Sequence, residues 1–279
     1  MGANEDILPT RVSLVRGPFL SLPYVSSKSS IMAHVKSIFR LSGSLGEVTF
    51  YRGREGQQLA RKKSSLTKER VDRDPAFART RENSREFGAV VRAGSQLRKG
   101  ASAFVRRLRT PELSGRMIQV LCKVRDCDQE AIRGARTVGG GLGHAKGRQL
   151  LKGFDFNTQF PLDAVLQCPH VAAPGFTFQL PLLVPASHLR YPKGATHASF
   201  GTCLLQVDFE AGTTAVTYSP EVGVALDRTA TEVTVNPPAP ATGTGIVFWM
   251  LQVCFFQEVN GELYPLDRSG NVLHILEVA

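Results

Sequence analysis

The sequence predicts an α+β fold, an N-terminal β-hairpin and amphipathic helices followed by an antiparallel β-sandwich-like domain. Three observations carry this. Val48 and Phe50 alternate with Thr49 and Tyr51, the period of a half-buried strand. From Phe87 to Leu108 apolar residues recur at steps of three and four, the period of a helix. From Phe154 onward, short apolar runs are separated by Pro, Gly and Thr with no helical run between them, as in stacked antiparallel sheets. A chain of 279 residues buries a sizeable core without metal or disulfide staples.

In chain order, residues 1–31 hold Pro9, Pro18, Pro23 and two serine pairs without sustained periodicity. They read as a flexible extension with no secretory signal, and Met32 stands as an alternative translation start. Residues 32–136 read as a basic module. In it Val48–Tyr51 and Gln58–Arg61 flank the turn Gly53-Arg54-Glu55-Gly56 as a hairpin. Such a hairpin is marginal by itself and must pack on something.

Asp74-Pro75 carries an N-cap acceptor followed by proline at the first helical position, so a helix is expected from there to Leu108. Its apolar stripe is Phe87, Val90, Val91, Leu97, Ala101, Phe104, Val105 and Leu108. Gly88, Gly94 and Gly100 interrupt it, each at ~1 kcal/mol relative to alanine. A second helix is expected from Glu112 to about Val124, with Leu113, Met117, Val120, Leu121 and Val124 on one face.

Opposite the first stripe, Arg85, Arg92, Lys99 and Arg106 recur every seven residues, with Arg81 before them. These four, together with Arg61, Lys62 and Lys63, are the candidate anion- or partner-binding residues. The plain alternative is a solvated helix face. Arginine outnumbers lysine in the helical line, which favours bidentate recognition of planar or tetrahedral anions.

Residues 137–153, with five glycines between Gly139 and Gly147, read as a linker. The phosphate-loop pattern G-x-x-x-x-G-K-[ST] is absent. Residues 154–279 read as the β-sandwich-like domain. Its candidate strands are 155–157, 165–168, 176–180, 199–209, 214–218, 233–235, 246–258 and 272–276, with turns at Glu210-Ala211-Gly212 and Asn260-Gly261.

Chemistry is sparse in this half. His170, His188, His197 and His274 share no metal-ligand spacing, and G-x-S-x-G is absent. Asp208 and Glu210 form a conceivable carboxylate pair that more simply protects a strand edge. Trp249 reads as core. The odd set Cys122, Cys127, Cys168, Cys203 and Cys254, without C-x-x-C, reads as free thiols in a reducing compartment. No cofactor and no metal are expected, and no run reaches the ~18 apolar residues of a membrane span.

The segments "HVKSIFRLSGSLGEVTFYRGREGQQLARKKSS" and "DPAFARTRENSREFG" resemble a family of uncharacterised Bacteroidetes-type proteins. The matching positions are Ser42, Gly43, Leu45, Gly46, Phe50, Tyr51, Arg61, Lys62, Lys63, Thr80 and Phe87, within Met32 to Gly88. Ser64-Ser65-Leu66 replaces the family's Pro-Lys-rich segment. The resemblance implies a sandwich-like second half, no known catalytic residues, and a phage-derived or surface-assembly context.

Charge is split between the halves. Residues 1–152 hold 30 Lys+Arg and 13 Asp+Glu (30 − 13 = +17), and residues 153–279 hold 4 and 11 (4 − 11 = −7), within a net charge of +10. Complementary halves on one chain suit head-to-tail or intramolecular attraction. The expected function is therefore a non-enzymatic structural or assembly protein. It would self-associate, or dock on another structural protein, through its basic module, as in a phage-like particle, and would be cytoplasmic or particle-associated. The alternative is sequence-tolerant nucleic-acid binding, with the same residues on backbone phosphates.

Overall fold

The computed structural model describes residues 32–34, 41–53, 55–237 and 244–279. The expected extension, residues 1–31, lies outside them. The chain divides into two compact units, one ending at Thr67 and one running Lys68–Ala279.

The first unit is a four-stranded antiparallel sheet. It comprises β1 (Met32–His34), β2 (Gly43–Leu45), β3 (Val48–Arg52) and β4 (Gln58–Lys62), in the order β1-β4-β3-β2. The hairpin expected from the period-2 run is β3–β4, with Phe50 opposite Ala60 and Tyr51 opposite Leu59. Within residues 41–53 and 55–67 Ala60 is the one buried side chain, and Leu45 is 77% exposed. Strands this short with so little core contribute little stability of their own.

The second unit opens with α1 (Lys68–Arg73) and a 3-10 turn, Pro75–Phe77, capped by Asp74, whose carboxylate accepts the Ala76 N–H at 2.9 Å. The helices α2 (Ala78–Gly100), α3 (Ser102–Val105), α4 (Leu113–Arg125), α5 (Val138–Gly143), α6 (Ala145–Leu151) and α7 (Leu162–Val165) follow. Next come β5 (Val171–Ala173), β6 (Thr177–Leu183), α8 (Pro185–His188), β7 (His197–Val207), β8 (Thr214–Tyr218), β9 (Val222–Ala225) and β10 (Thr231–Val235). The unit closes with β11 (Ile246–Val259), β12 (Glu262–Pro265) and β13 (Val272–Val278).

Two antiparallel sheets form. The larger runs β12-β11-β7-β8, with β13 also on β11 and β9 also on β7; the smaller runs β10-β6-β5. The fold is α+β, and the pair of sheets is compatible with a sandwich-like description.

Strand alternation sends two sets of side chains to opposite faces of the larger sheet. Phe200 and Leu204 of β7 and Trp249, Leu251, Val253 and Phe255 of β11 join Phe178, Leu180, Val233 and Val235 of the smaller sheet in one core. Cys203, Leu205, Val207, Phe248 and Met250 face the other way. They join Val90, Leu97, Phe104, Met117 and Leu121 of the helices in a second core. The central sheet is apolar on both faces and has a cover on each.

That arrangement corrects the expected boundaries. The division falls at Thr67 and not at 136 or 154, because the helices share a core with the strands that follow residue 154. A sheet with two apolar faces needs a second layer, and the stripes of α2 and α4 supply it.

The expected linker at 137–153 is also corrected. It forms α5 and α6, which bury Val138, Leu142 and Leu151. Its glycines serve close backbone approach rather than flexibility. A β-carbon on Gly141 would overlap the carbonyl of Val124 in α4, and one on Gly147 would overlap the carbonyl of Gly141. Glycine at these positions lets three backbones meet.

Smaller corrections concern short elements. Residues 155–157 contribute a single bridge, Asp155 to His274, and residues 165–168 hold the end of α7 and a bridge from Leu166 to Leu189. Strands β5, β9 and β12 are too short to leave a periodic signal. At Asn260-Gly261 both residues take positive φ, 55° and 82°, closing the β11–β12 hairpin as that dipeptide predicts.

Polar side chains tie the end of the helical layer to the sheet. Gln252, in the middle of β11, donates to the Phe104 carbonyl at 2.9 Å, and its own oxygen lies 3.5 Å from the Arg107 guanidinium. Asn271 donates to the Arg107 carbonyl at 2.9 Å and accepts the Phe255 N–H at 3.2 Å. Arg107 also pairs with Glu221, which accepts from Ser199 at 3.1 Å.

The five cysteines are free thiols; Cys122 is half-buried and the other four are buried. Burial pushes the Cys203 thiol up to about 12 and the Cys254 thiol to about 11. Both therefore stay protonated as well as shielded at mildly alkaline pH. Alkylation of the native protein followed by peptide mapping should label Cys122 well before Cys203 and Cys254. Equal labelling rates would contradict the buried placement.

Candidate functional site

The helix α2 presents its cations to solvent because its other side is committed to the core. Val90, Ala93, Leu97 and then Ala101 and Phe104 are buried, and Arg85, Arg92, Lys99 and Arg106 are exposed. Arg106 follows α3, beyond the irregular backbone at Ala101 (φ −88°, ψ 24°). Among the described residues, no ion pair forms to any of these four. Their charge is left to solvent or to a ligand.

Phe87 and Val91 depart from the expected apolar stripe. Phe87 is 51% exposed, and Glu86 takes the inward position. That carboxylate is buried with partners. It accepts the Gly134 N–H at 2.7 Å and lies 3.6 Å from the Arg125 guanidinium. A buried acid with both kinds of partner is tolerated where a lone one would not be. Its signal in the sequence is an acid at a core-phase position, four residues before Val90.

Arg81 is structural. It donates to the carbonyls of Val71 at 2.7 Å and Asp74 at 2.9 Å, closing the turn between α1 and α2.

The candidate cations are only partly brought together. Arg85 and Arg92 line one cavity of about 310 Å³, whose wall also includes Glu86, Gly88, Gly134 and Arg136. Lys99 and Arg106 are not among the residues lining it. Arg61, Lys62 and Lys63 belong to the first unit. There Arg61 lies over the Tyr51 ring at 5.5 Å, and Lys62 stands 3.5 Å from Glu47 in an exposed pair of small energetic weight.

Arg136 was missed as a site residue because its segment reads as the approach to a linker. Its side chain is partly buried, and its Nε is buried with no hydrogen-bond partner among the described residues. The segment is held by Asp128, which accepts the N–H groups of Ala131 at 3.2 Å and Thr137 at 3.0 Å.

Asp208, Asp155 and His274 of the β half are engaged in structure. Asp208 accepts from the N–H groups of Ala211 at 2.8 Å and Glu210 at 2.9 Å and from the Thr244 hydroxyl at 3.1 Å. The Ala211 N–H above all lowers its pKa. It is a turn residue beyond the end of β7, not half of a carboxylate pair on a strand. His274 pairs with Asp155 at 2.7 Å, and Asp155 also accepts the Leu162 N–H at 3.0 Å. Among the described residues no group of three His, Cys, Asp or Glu could hold a metal ion, and no helix is long and apolar enough to cross a membrane.

No protein-family model, curated protein or solved structure matches the chain.

Proposed function

We propose that this is a non-enzymatic structural or assembly protein that docks onto an anionic protein surface, in first place a second copy of itself, through the cationic side of α2. The observation that carries the reading is the exposed series Arg85, Arg92, Lys99 and Arg106, which forms no ion pair among the described residues. The residues 153–279 of another copy supply a net −7 (4 − 11) to meet it. Opposite potentials of this kind steer encounter and set register. The first unit supports the same reading, because β1 and β2 end its sheet with no further strand paired to them among the described residues, and short edge strands gain by adding a neighbour's strand. The engagement of Asp208, His274 and Asp155 in turns and loop anchors supports a non-enzymatic role.

Light scattering across concentration and salt tests this. Self-association is expected at low salt and should weaken as salt rises. Replacing Arg85, Arg92, Lys99 and Arg106 together by glutamine should abolish it. A wild-type chain that stays monomeric at low salt, or a quadruple variant that associates as wild type does, would remove the proposal. Salt-steep binding to single- and double-stranded DNA by a monomeric chain would favour the nucleic-acid alternative.

A further inference from the structure

We propose that the cavity between α2 and residues 134–137 is a binding site for a phosphate group carrying at least two negative charges, as in a phosphate monoester or a diphosphate. This goes beyond the docking reading and does not depend on it.

Three guanidinium side chains, Arg85, Arg92 and Arg136, line this cavity of about 310 Å³. The single acid in the lining, Glu86, is engaged by the Gly134 N–H at 2.7 Å and by Arg125 at 3.6 Å. Its charge is therefore met from behind, and the three arginines face the cavity uncompensated among the described residues. One carboxylate would answer a third of that charge. A dianionic phosphate or a diphosphate answers most of it, and each guanidinium offers paired donors to tetrahedral oxygens.

The backbone makes room for the group. A β-carbon on Gly88 would stand 3.7 Å from the Arg92 Nη1. The Arg92 head thus lies back along the helix over Gly88, itself part of the cavity wall. Gly88 and Ala89 leave the floor low. Arg136 brings an N–H, at Nε, that is buried without a partner among the described residues. A donor left so is costly, by the desolvation of an unmatched polar group; a shift of the Arg136 side chain toward a bound oxyanion would relieve that cost.

Among the described residues no aromatic ring lines the cavity. Within the cavity itself recognition therefore rests on the phosphate. The adjoining hollow shares Arg92 and is lined by Phe209 and by Glu210, which sets an acidic border on that side.

Calorimetric titration of the full chain with pyrophosphate, inorganic phosphate, citrate and an oligothymidylate tests the site. Pyrophosphate should bind, more tightly than citrate. Arg136→Gln and Arg92→Gln should each weaken it at least about tenfold, the scale of one charge-assisted hydrogen bond. The double variant Lys99→Gln, Arg106→Gln should change it less than about twofold, since neither residue lines the cavity.

Pyrophosphate binding lost in both single variants supports the site. Within that result, oligothymidylate competing for it identifies a nucleic-acid backbone as the source, and failure to compete identifies a free phosphate compound. Absence of pyrophosphate binding overturns the site, as does equal weakening in the single and double variants, or tighter binding of citrate. Light scattering of Arg136→Gln separates the two proposals. This residue is outside the docking set, so association should survive in it while pyrophosphate binding is lost.

Discussion

Gly141→Ala should destabilise the protein by about 3 kcal/mol or more, at the upper end of what overpacking costs. The added methyl group would overlap the Val124 carbonyl, which is backbone of α4 and has no rotamer to change. Either α5 lifts away from α4, exposing Val138 and Leu142, or α4 bends. In a unit of this size the loss corresponds to a fall of about 6–12 °C in Tm. Gly115→Ala is the matched control. It sits inside α4 with no atom within 4 Å of the added carbon, so it should gain about 0.5–1 kcal/mol from helix propensity. Thermal melts of both variants decide the matter. If the two shift Tm in the same direction, the close-approach explanation of the glycine-rich segment fails.

Gln252→Leu should cost about 1–2 kcal/mol despite nearly equal volume and a gain in hydrophobicity. The substitution removes one of two donors to the Phe104 carbonyl, leaving the Arg107 N–H at 3.0 Å, and takes an acceptor from the Arg107 guanidinium. Both groups lie where the helical layer meets β11, so the loss falls on the joint between layers. Gln257→Leu, on the same strand but exposed, should stay within about 0.5 kcal/mol of wild type. Denaturant unfolding of the pair is the measurement. A Gln252→Leu protein as stable as the parent would mean that the amide does not pin the helices to the sheet.

Both variants lie where reading the sequence fell short. Gln252 looks like an interruption in an apolar run, and glycines 139–147 look like a flexible joint. Each is a contact residue whose partner is far away in sequence: Phe104 for Gln252, and Val124 for Gly141. Local pattern carries no record of such a partner. The same limit explains Glu86 and Arg136. Their roles depend on Gly134, Arg125 and the cavity wall, which meet only once α2, α4 and the 134–137 segment are in place.

What was legible is what depends on neighbours in the chain. The β3–β4 hairpin follows from alternation, α2 and α4 from three-four spacing, the β11–β12 turn from Asn260-Gly261, and exposure of Arg85, Arg92 and Lys99 from their phase opposite Val90 and Leu97. Even here Phe87 was misplaced, because the stripe is wide and its edge is decided by packing.

Local chemistry therefore settles the α+β class, the helices and strands of clear period, and the segregation of positive charge toward the front of the chain. Tertiary packing alone settles which elements share a core, that the central sheet is covered on both faces, and that three arginines from two segments converge on one cavity. The physical reason is range. Periodicity and turn propensity act over a few residues, whereas burial and backbone approach are set by surfaces that meet after more than a hundred residues of intervening chain, as between Phe104 and Gln252 (148 positions apart).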